Sequence, residues 1–374
     1  MTSLSENHAK SGTPALGDIG HVRMSRFPNV RQARGSWGRH GQGKFLPDLV
    51  GSVHYLGPAA RDARFMFGAF KDFLINHPAF LARMADLYAI RHRTRVVFNR
   101  SGAYFSVRRG QREIRLSAAH GAYVPYVVRE YDLYFGSVAP RSVDGRDLCD
   151  FSRPGRHFLP SLGIEFMFSS LPEGADTDAA YLGALRIKPG QVVLDAGAYC
   201  GLTAYLFARA AGPSGRVIAV EADPRNMECL QDNMRRLDVT NVTPVHAAVW
   251  KEAGTLRFSS EGNIGSAVSD VAPRQGGTVE VRSVTLLDLA LELGLEHVDH
   301  VKMDIEGAEY PVLMSSSDFI TRFRPDFVIE VHHDSHGIIN VKALSEFFRG
   351  IGYRASQIKQ SENEVFPLIH CTPA

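Results

Sequence analysis

The sequence predicts an α/β protein whose C-terminal half folds as a doubly wound, mostly parallel sheet, with a smaller α+β region before it. Three observations carry this prediction. From residue 192 onward, short β-branched runs (VVLDAGA, RVIAVEA, VTPVHAAVW, HVKMDIEG, DFVIEVHH) alternate with helical patterns, as stacked βαβ units require. The first of these runs ends in an acid and a glycine-bearing turn before a helix begins. Ahead of them the texture is different, with aromatic residues at helical spacing followed by short alternating segments. The length of 374 residues fits two domains, at about 100–200 residues each. A composition 44% hydrophobic and 22% charged is that of an ordinary globular chain, and a net charge of +2 creates no strong field toward nucleic acid or anionic lipid.

Residues 1–45 are rich in Gly, Ser, Arg and His without periodicity and read as a loose, locally basic arm. Residues 46–150 form the small α+β domain. Within it, Phe65, Phe67, Phe70, Phe73, Leu74, Phe80, Leu81, Met84 and Leu87 suggest two helices broken at His77-Pro78. The span from Arg95 to Val138 reads as β-hairpins, with a turn at Ser101-Gly102. Repeated Gly and Pro make 151–178 a linker and lead-in, followed by a helix over Ala179–Leu185, and residues 179–374 are the ligand-binding domain.

In a doubly wound sheet, ligands bind outside the carboxyl ends of the strands, where strand order reverses. Val192, Val193 and Leu194 make a buried strand with Asp195 at that end. Gly197 permits a tight turn and Gly201 close packing of the next helix. The second strand ends in Glu221, placed to accept both hydroxyls of a ribose. Asp223 and Pro224 then announce a helix as N-cap and first residue, and Met227, Leu230, Met234 and Leu237 give that helix a core face. A dinucleotide site needs G-x-G-x-x-G to hold a pyrophosphate on bare backbone. Here the loop is D-x-G-x-x-x-G. Its carboxylate repels a pyrophosphate and attracts an α-ammonium, so the chemistry favours S-adenosylmethionine, which has a ribose and a cationic amino acid tail but no phosphate.

DAGAYCG, AVEADP, VKMDIEGAE and VIEVHH, in that order, resemble the FkbM family of S-adenosylmethionine-dependent methyltransferases over roughly Tyr181 to Thr372. The resemblance implies a Rossmann-like methyltransferase fold with a seven-stranded sheet whose last strand is antiparallel, and GYRASQI with VFPLIHCT suits its final hairpin. It also implies methylation of hydroxyl oxygens on polyketide or sugar-containing molecules. By position, Asp195, Gly197, Ala198, Tyr199 and Gly201 form the methionine-side loop, Glu221 takes the ribose, and Ala222 and Asp223 border the adenine. The backbone of 246–249 touches the adenine as well, and Asp304 emerges beside the methyl group.

Methyl transfer to a hydroxyl needs alignment and a base. His332 is the first candidate, with Glu330 orienting the ring or serving as the base itself, and Asp304 third. Glu330 and His332 share one face of the fifth strand and His333 points away. The primary expectation is a site without metal. The alternative is a divalent ion gathered by Asp304, Glu330 and His332. Glu306 is a possible substrate contact, and Glu309 is structural. Competing readings are a nucleic-acid or protein methyltransferase, a non-catalytic cofactor-binding module and a nicotinamide dehydrogenase. The expected partner is a small-molecule or glycan acceptor, with neither nucleic acid nor membrane span. Four scattered cysteines and the absence of a signal-peptide pattern lead to an expectation of a cytoplasmic protein.

Overall fold

The computed structural model describes residues 77–172, 175–260, 262, 265–268, 277–332, 340–358 and 367–374. The arm at 1–45, the helix expected over 61–76 and His333 lie outside the described residues. Pro78 presets the first turn of α1 (Pro78–Ala89), whose inner face is Leu81, Ala82, Ala85 and Ala89. The expected hairpins follow as β1 (Arg95–Asn99), β2 (Tyr104–Arg109) and β3 (Arg112–Ser117). The hairpin reading does not extend to Val138, because the chain turns helical at α2 (Val124–Arg129) and α3 (Tyr131–Ser137). Pro125 sits in the first turn of α2, and Val124, Val127, Val128, Tyr131 and Phe135 are buried at helical spacing. β4 (Arg141–Val143) and β5 (Arg146–Phe151) complete a sheet of order β1-β2-β3-β5-β4. The stretch 151–178 contains a further hairpin, β6 (Gly155–Leu159) with β7 (Ile164–Phe168), and the start of α4 (Ala175–Leu185).

The C-terminal half then runs β8 (Val192–Ala196), α5 (Leu202–Ala211), β9 (Arg216–Glu221), α6 (Pro224–Arg236) and β10 (Val242–His246). A four-stranded sheet intervenes, formed by β11 (Ala248–Val249), β12 (Gly254–Ser260), β13 (Ala267–Val268) and β14 (Gly277–Val284). The chain continues through α7 (Leu286–Glu292), β15 (His300–Met303), α8 (Glu309–Met314), α9 (Ser317–Phe323), β16 (Asp326–Glu330), α10 (Val341–Gly350), β17 (Tyr353–Ile358) and β18 (Leu368–Pro373). The main sheet has the order β10-β9-β8-β15-β16-β18-β17. It is parallel except for β18, which runs antiparallel to both β16 and β17. This is a Rossmann-like arrangement of seven strands, with the reversal of strand order between β8 and β15. The crevice outside the ends of those two strands is the ligand position for such a sheet.

Every residue of β8 and β15 is buried, as strands covered on both faces must be. On one face the core of α5 and α6 runs on without a break into Phe105, Ile114, Phe166 and Phe168 of the N-terminal region. Among the described residues, no helix is long and apolar enough to cross a membrane. All four cysteines are buried free thiols.

The turn after β8 brings backbone against backbone. Gly197 has φ +80, and a Cβ there would lie 1.8 Å from the carbonyl oxygen of Asp304. Gly197→Ala therefore meets both left-handed strain and a collision with main chain, and it is expected to lower unfolding free energy by roughly 1–3 kcal/mol or more. Urea denaturation checks this; an unchanged midpoint would show that the two strand ends are not in contact.

Candidate active site

Asp195 sits at the end of a strand that admits no water. Its side chain is fully buried, and neither carboxylate oxygen has a hydrogen-bond partner. Its nearest charge is Lys302 Nζ at 3.4 Å, brought opposite by the register of β15 on β8. Lys302 is also fully buried; its Nζ donates to the Gly197 carbonyl at 2.6 Å, lies 3.9 Å from Asp304 Oδ2 and stands 5.4 Å from the ring centroid of Tyr181. Burial raises the Asp195 carboxyl to about 6, against the pull of Lys302.

The loop that follows is organised by Glu221. Gly197 and Ala198 donate their N–H groups to the Val220 carbonyl, each at 3.0 Å, and the Tyr199 N–H donates to Glu221 Oε2 at 2.8 Å. Tyr199 has φ +48, and its hydroxyl donates to the Leu171 carbonyl, which ties the turn to the chain beyond β7. Gly201, at φ +86, precedes α5; a side chain there would press on Leu230 of α6. Glu221 Oε1 accepts from the Asp223 N–H at 2.7 Å and from Asn226. Burial nevertheless lifts its carboxyl to about 8. The Ala222 carbonyl lies 3.1 Å from His246 Nε2, so the ends of β9 and β10 meet.

Asp223 is the N-cap anticipated from sequence, accepting from the N–H groups of Arg225 and Asn226. Its second oxygen accepts from Ser260 Oγ, the Gly262 N–H and Ser266 Oγ. A residue expected at the adenine edge thus ties the segment after β12 to the start of α6.

The expected catalytic groups converge. His332 Nε2 is 3.0 Å from Asp304 Oδ1 and 3.9 Å from Glu330 Oε1, and its Nδ1 is 3.7 Å from Glu306 Oε2. Burial opposes the imidazolium, but Glu306, Asp304 and Glu309 outweigh it and hold His332 well above its ordinary value. Burial likewise opposes the Asp304 carboxylate, yet Lys302 and His332 keep it below its usual range. Glu330 accepts from the Tyr181 hydroxyl at 2.7 Å, and burial together with Asp304 raises it to about 7. Glu309 folds back onto the N–H groups of Ile305 and Gly307 and shapes the turn that presents Glu306 at φ +56, a structural role as expected. The group with metal-ligand geometry is Asp304, Glu306 and His332, with ligand atoms within 4.8 Å of one another. It differs from the expected trio in having Glu306 in place of Glu330, and in it the imidazolium already supplies the positive charge between the carboxylates.

Sequence reasoning did not assign roles to Lys302, Tyr181 or Asp178. A signal existed only for Lys302, as a charged residue inside the apolar run HVKM.

Residues 195–355 match the methyltransferase FkbM domain. Among curated relatives, the 2-O-methyltransferase NoeI of Sinorhizobium fredii is 28% identical over 157 residues, covering 38% of this chain and 63% of its own length. Ribosomal RNA large subunit methyltransferase E of Bdellovibrio bacteriovorus is 34% identical over 114 residues, covering 28% of this chain and 52% of its own. The chain thus spans less than two thirds of either relative. Among solved structures, methyltransferase FkbM of Methylobacillus flagellatus superposes with a TM-score of 0.39 at 18% identity, covering 50% of this chain and 45% of that one. The part of the chain that carries Asp195, Glu221, Asp304, Glu330 and His332 is a methyltransferase domain of the FkbM family.

Proposed function

We propose that the protein is an S-adenosylmethionine-dependent methyltransferase that modifies a hydroxyl oxygen of a small-molecule, sugar or polyketide-type acceptor. One observation carries the reading: at the switch point of the sheet, the wholly buried carboxylate of Asp195 has no hydrogen-bond partner on either oxygen. A buried carboxylate is costly, and Lys302 at 3.4 Å compensates Asp195 only in part, because the same ammonium hydrogen-bonds to the Gly197 carbonyl and lies 3.9 Å from Asp304. The residues present fit the proposed cofactor. Asp195 would meet its α-ammonium. Glu221, whose Oε2 keeps acceptor capacity beyond the Tyr199 N–H, would take a ribose hydroxyl. The bare Cα of Gly197 keeps the turn flat against the end of β15.

When bound, S-adenosylmethionine supplies a methyl group already activated on a sulfonium. The protein's own contribution is alignment and proton removal. Rigid placement of the acceptor can lower the barrier by ~7–11 kcal/mol. For the proton, Glu330 suits better than His332, because His332 already holds one between Asp304 and Glu306 whereas Glu330 is balanced near neutrality. The Tyr181 hydroxyl fixes Glu330 Oε2. His332 then acts as the positioning group for both Asp304 and Glu330. The name of the Sinorhizobium relative, a 2-O-methyltransferase, supports oxygen as the acceptor atom. Base methylation of RNA has less support: the fourth strand ends in MDIEG, without the Pro-Pro-aromatic platform that would hold a flipped base.

Two outcomes follow. Asp195→Asn should weaken binding of S-adenosylmethionine by about 1–3 kcal/mol in titration calorimetry, as loss of a hydrogen bond to a charged group requires; wild-type affinity in this variant would remove Asp195 from the site. In the wild type, kcat/KM should rise with pH through about 7 as Glu330 loses its proton. Glu330→Gln should lose that limb and fall ~10²-fold or more in turnover while cofactor affinity stays unchanged. A retained limb would return the role to His332.

A further inference from the structure

Tyr199 stands at φ +48, a left-handed conformation that is strained for a bulky aromatic residue and persists only where its surroundings fix it. It is held at both ends. Its N–H donates to Glu221 Oε2 at 2.8 Å. Its hydroxyl donates to the Leu171 carbonyl at 2.9 Å and accepts from the Ser170 N–H at 3.2 Å, with Ser169 Oγ also at 3.2 Å. A phenolic hydroxyl has one proton to give and lone pairs to receive, so three consecutive residues take up its capacity.

Residues 169–171 follow β7 and lie upstream of the matched family domain. Two further bonds set their position. Ser170 Oγ lies 2.7 Å from Nδ1 of His120, in the short helical turn Ala118–Tyr123 that follows β3. Ser169 Oγ donates to Asn226 Oδ1 at 2.7 Å, and the Asn226 amide donates to Glu221 Oε1 at 3.4 Å. Two hydrogen-bonded routes thus run from 169–171 to the two oxygens of Glu221, one through Tyr199 and one through Asn226. His120 clamps their common origin. His120, Ser169, Ser170, Tyr199, Glu221 and Asn226 are each between 2% and 6% exposed. In such an interior a polar atom deprived of its partner is costly, so removal of one member displaces the next instead of leaving it bare.

We infer that His120 is a positioning residue for the cofactor: through Ser170 and the Tyr199 hydroxyl it sets the place of Glu221 Oε2, so that a residue outside the family domain tunes affinity for the ribose hydroxyls. This rests on the reading of the chain as an S-adenosylmethionine-dependent enzyme. His120 touches no ligand itself; its effect is exerted on the oxygen that does.

The test is calorimetric titration of the full chain with S-adenosylhomocysteine and with its 2′,3′-dideoxy analogue, which lacks both ribose hydroxyls. His120→Ala should bind S-adenosylhomocysteine about 5-fold more weakly, the scale of one hydrogen bond, and should bind the dideoxy analogue as the wild type does. Tyr199→Phe should lose about 10-fold for S-adenosylhomocysteine, and adding His120→Ala to it should cost less than 2-fold more, because the route is already cut. Equal losses for both ligands, affinity within about 2-fold of wild type for both, or additive losses in the double variant would make His120 a packing residue and overturn the inference. If His120→Ala does not fold, Ser170→Ala, which removes the same bond from the other side, takes its place with the same criteria. Wild-type protein that binds neither ligand would overturn the methyltransferase reading itself. Wild-type protein that binds both ligands equally would take the ribose away from Glu221 and sink this inference alone.

Discussion

The crevice depends on one buried ammonium. Lys302 Nζ holds the Gly197 carbonyl at 2.6 Å and stands between Asp195 and Asp304 at 3.4 and 3.9 Å. These contacts join the ends of β8 and β15 on either side of the switch point. The same junction is closed from the other direction by the Gly197 turn, which lies so close to the Asp304 carbonyl that no side chain fits. A lysine without solvent is tolerated only among compensating acids, and those acids in turn are tolerated only because the lysine is there. Each therefore holds the others in an ionised, directed state.

Around this junction the acids divide into two kinds. Glu221, Asp223 and Glu309 accept main-chain N–H groups and thereby build the turns that follow β9 and β15. Asp195 pairs instead with the Lys302 ammonium at 3.4 Å, and Asp178 with the Thr203 side chain. Identical side-chain chemistry thus builds turns in one place and compensates a buried ammonium in another, according to whether backbone donors reach it. Asp304, Glu306, Glu330 and His332 form a third arrangement, in which carboxylates share an imidazolium and a tyrosine hydroxyl. Burial and the neighbouring Asp304 raise one carboxyl, that of Glu330, to about 7 against the pull of His332 and the Tyr181 hydroxyl.

Much of this was legible in the sequence, and the exceptions have physical causes. The parallel strands were readable because double-sided burial demands largely apolar runs, and β8, β9 and β16 each carry an acid at their carboxyl end. The Asp223-Pro224 helix start was readable because capping is local chemistry. By contrast, α2 and α3 were read as strands because VPYVV is β-branched and aromatic, and only the tertiary burial of Val124, Val127, Val128 and Tyr131 selects the helix. The hairpin β6–β7 lay hidden in a stretch whose Gly and Pro suggested a linker. Lys302 and Asp178 required knowledge of register and of α4 docking, which arise from contacts far apart in the chain. The capture of Asp223 by Ser260, Gly262 and Ser266 was equally nonlocal.

The N-terminal region belongs to the same physical object as the cofactor fold. Asn233 of α6 donates to the Met167 carbonyl and accepts from its N–H, and Arg156 pairs with Asp232 at 2.8 Å, so the β6–β7 hairpin is pinned to α6. Phe166 and Phe168 are fully buried in the core shared with α5 and α6. Each contributes about 1.5–3 kcal/mol that the family domain could not retain alone. The Tyr199 hydroxyl bond to the Leu171 carbonyl carries that dependence into the loop after β8. Tyr181 and Asp178 carry it further, from α4 to Glu330 and Lys302. The geometry of the candidate site in residues 195–355 is therefore set partly by chain that precedes them.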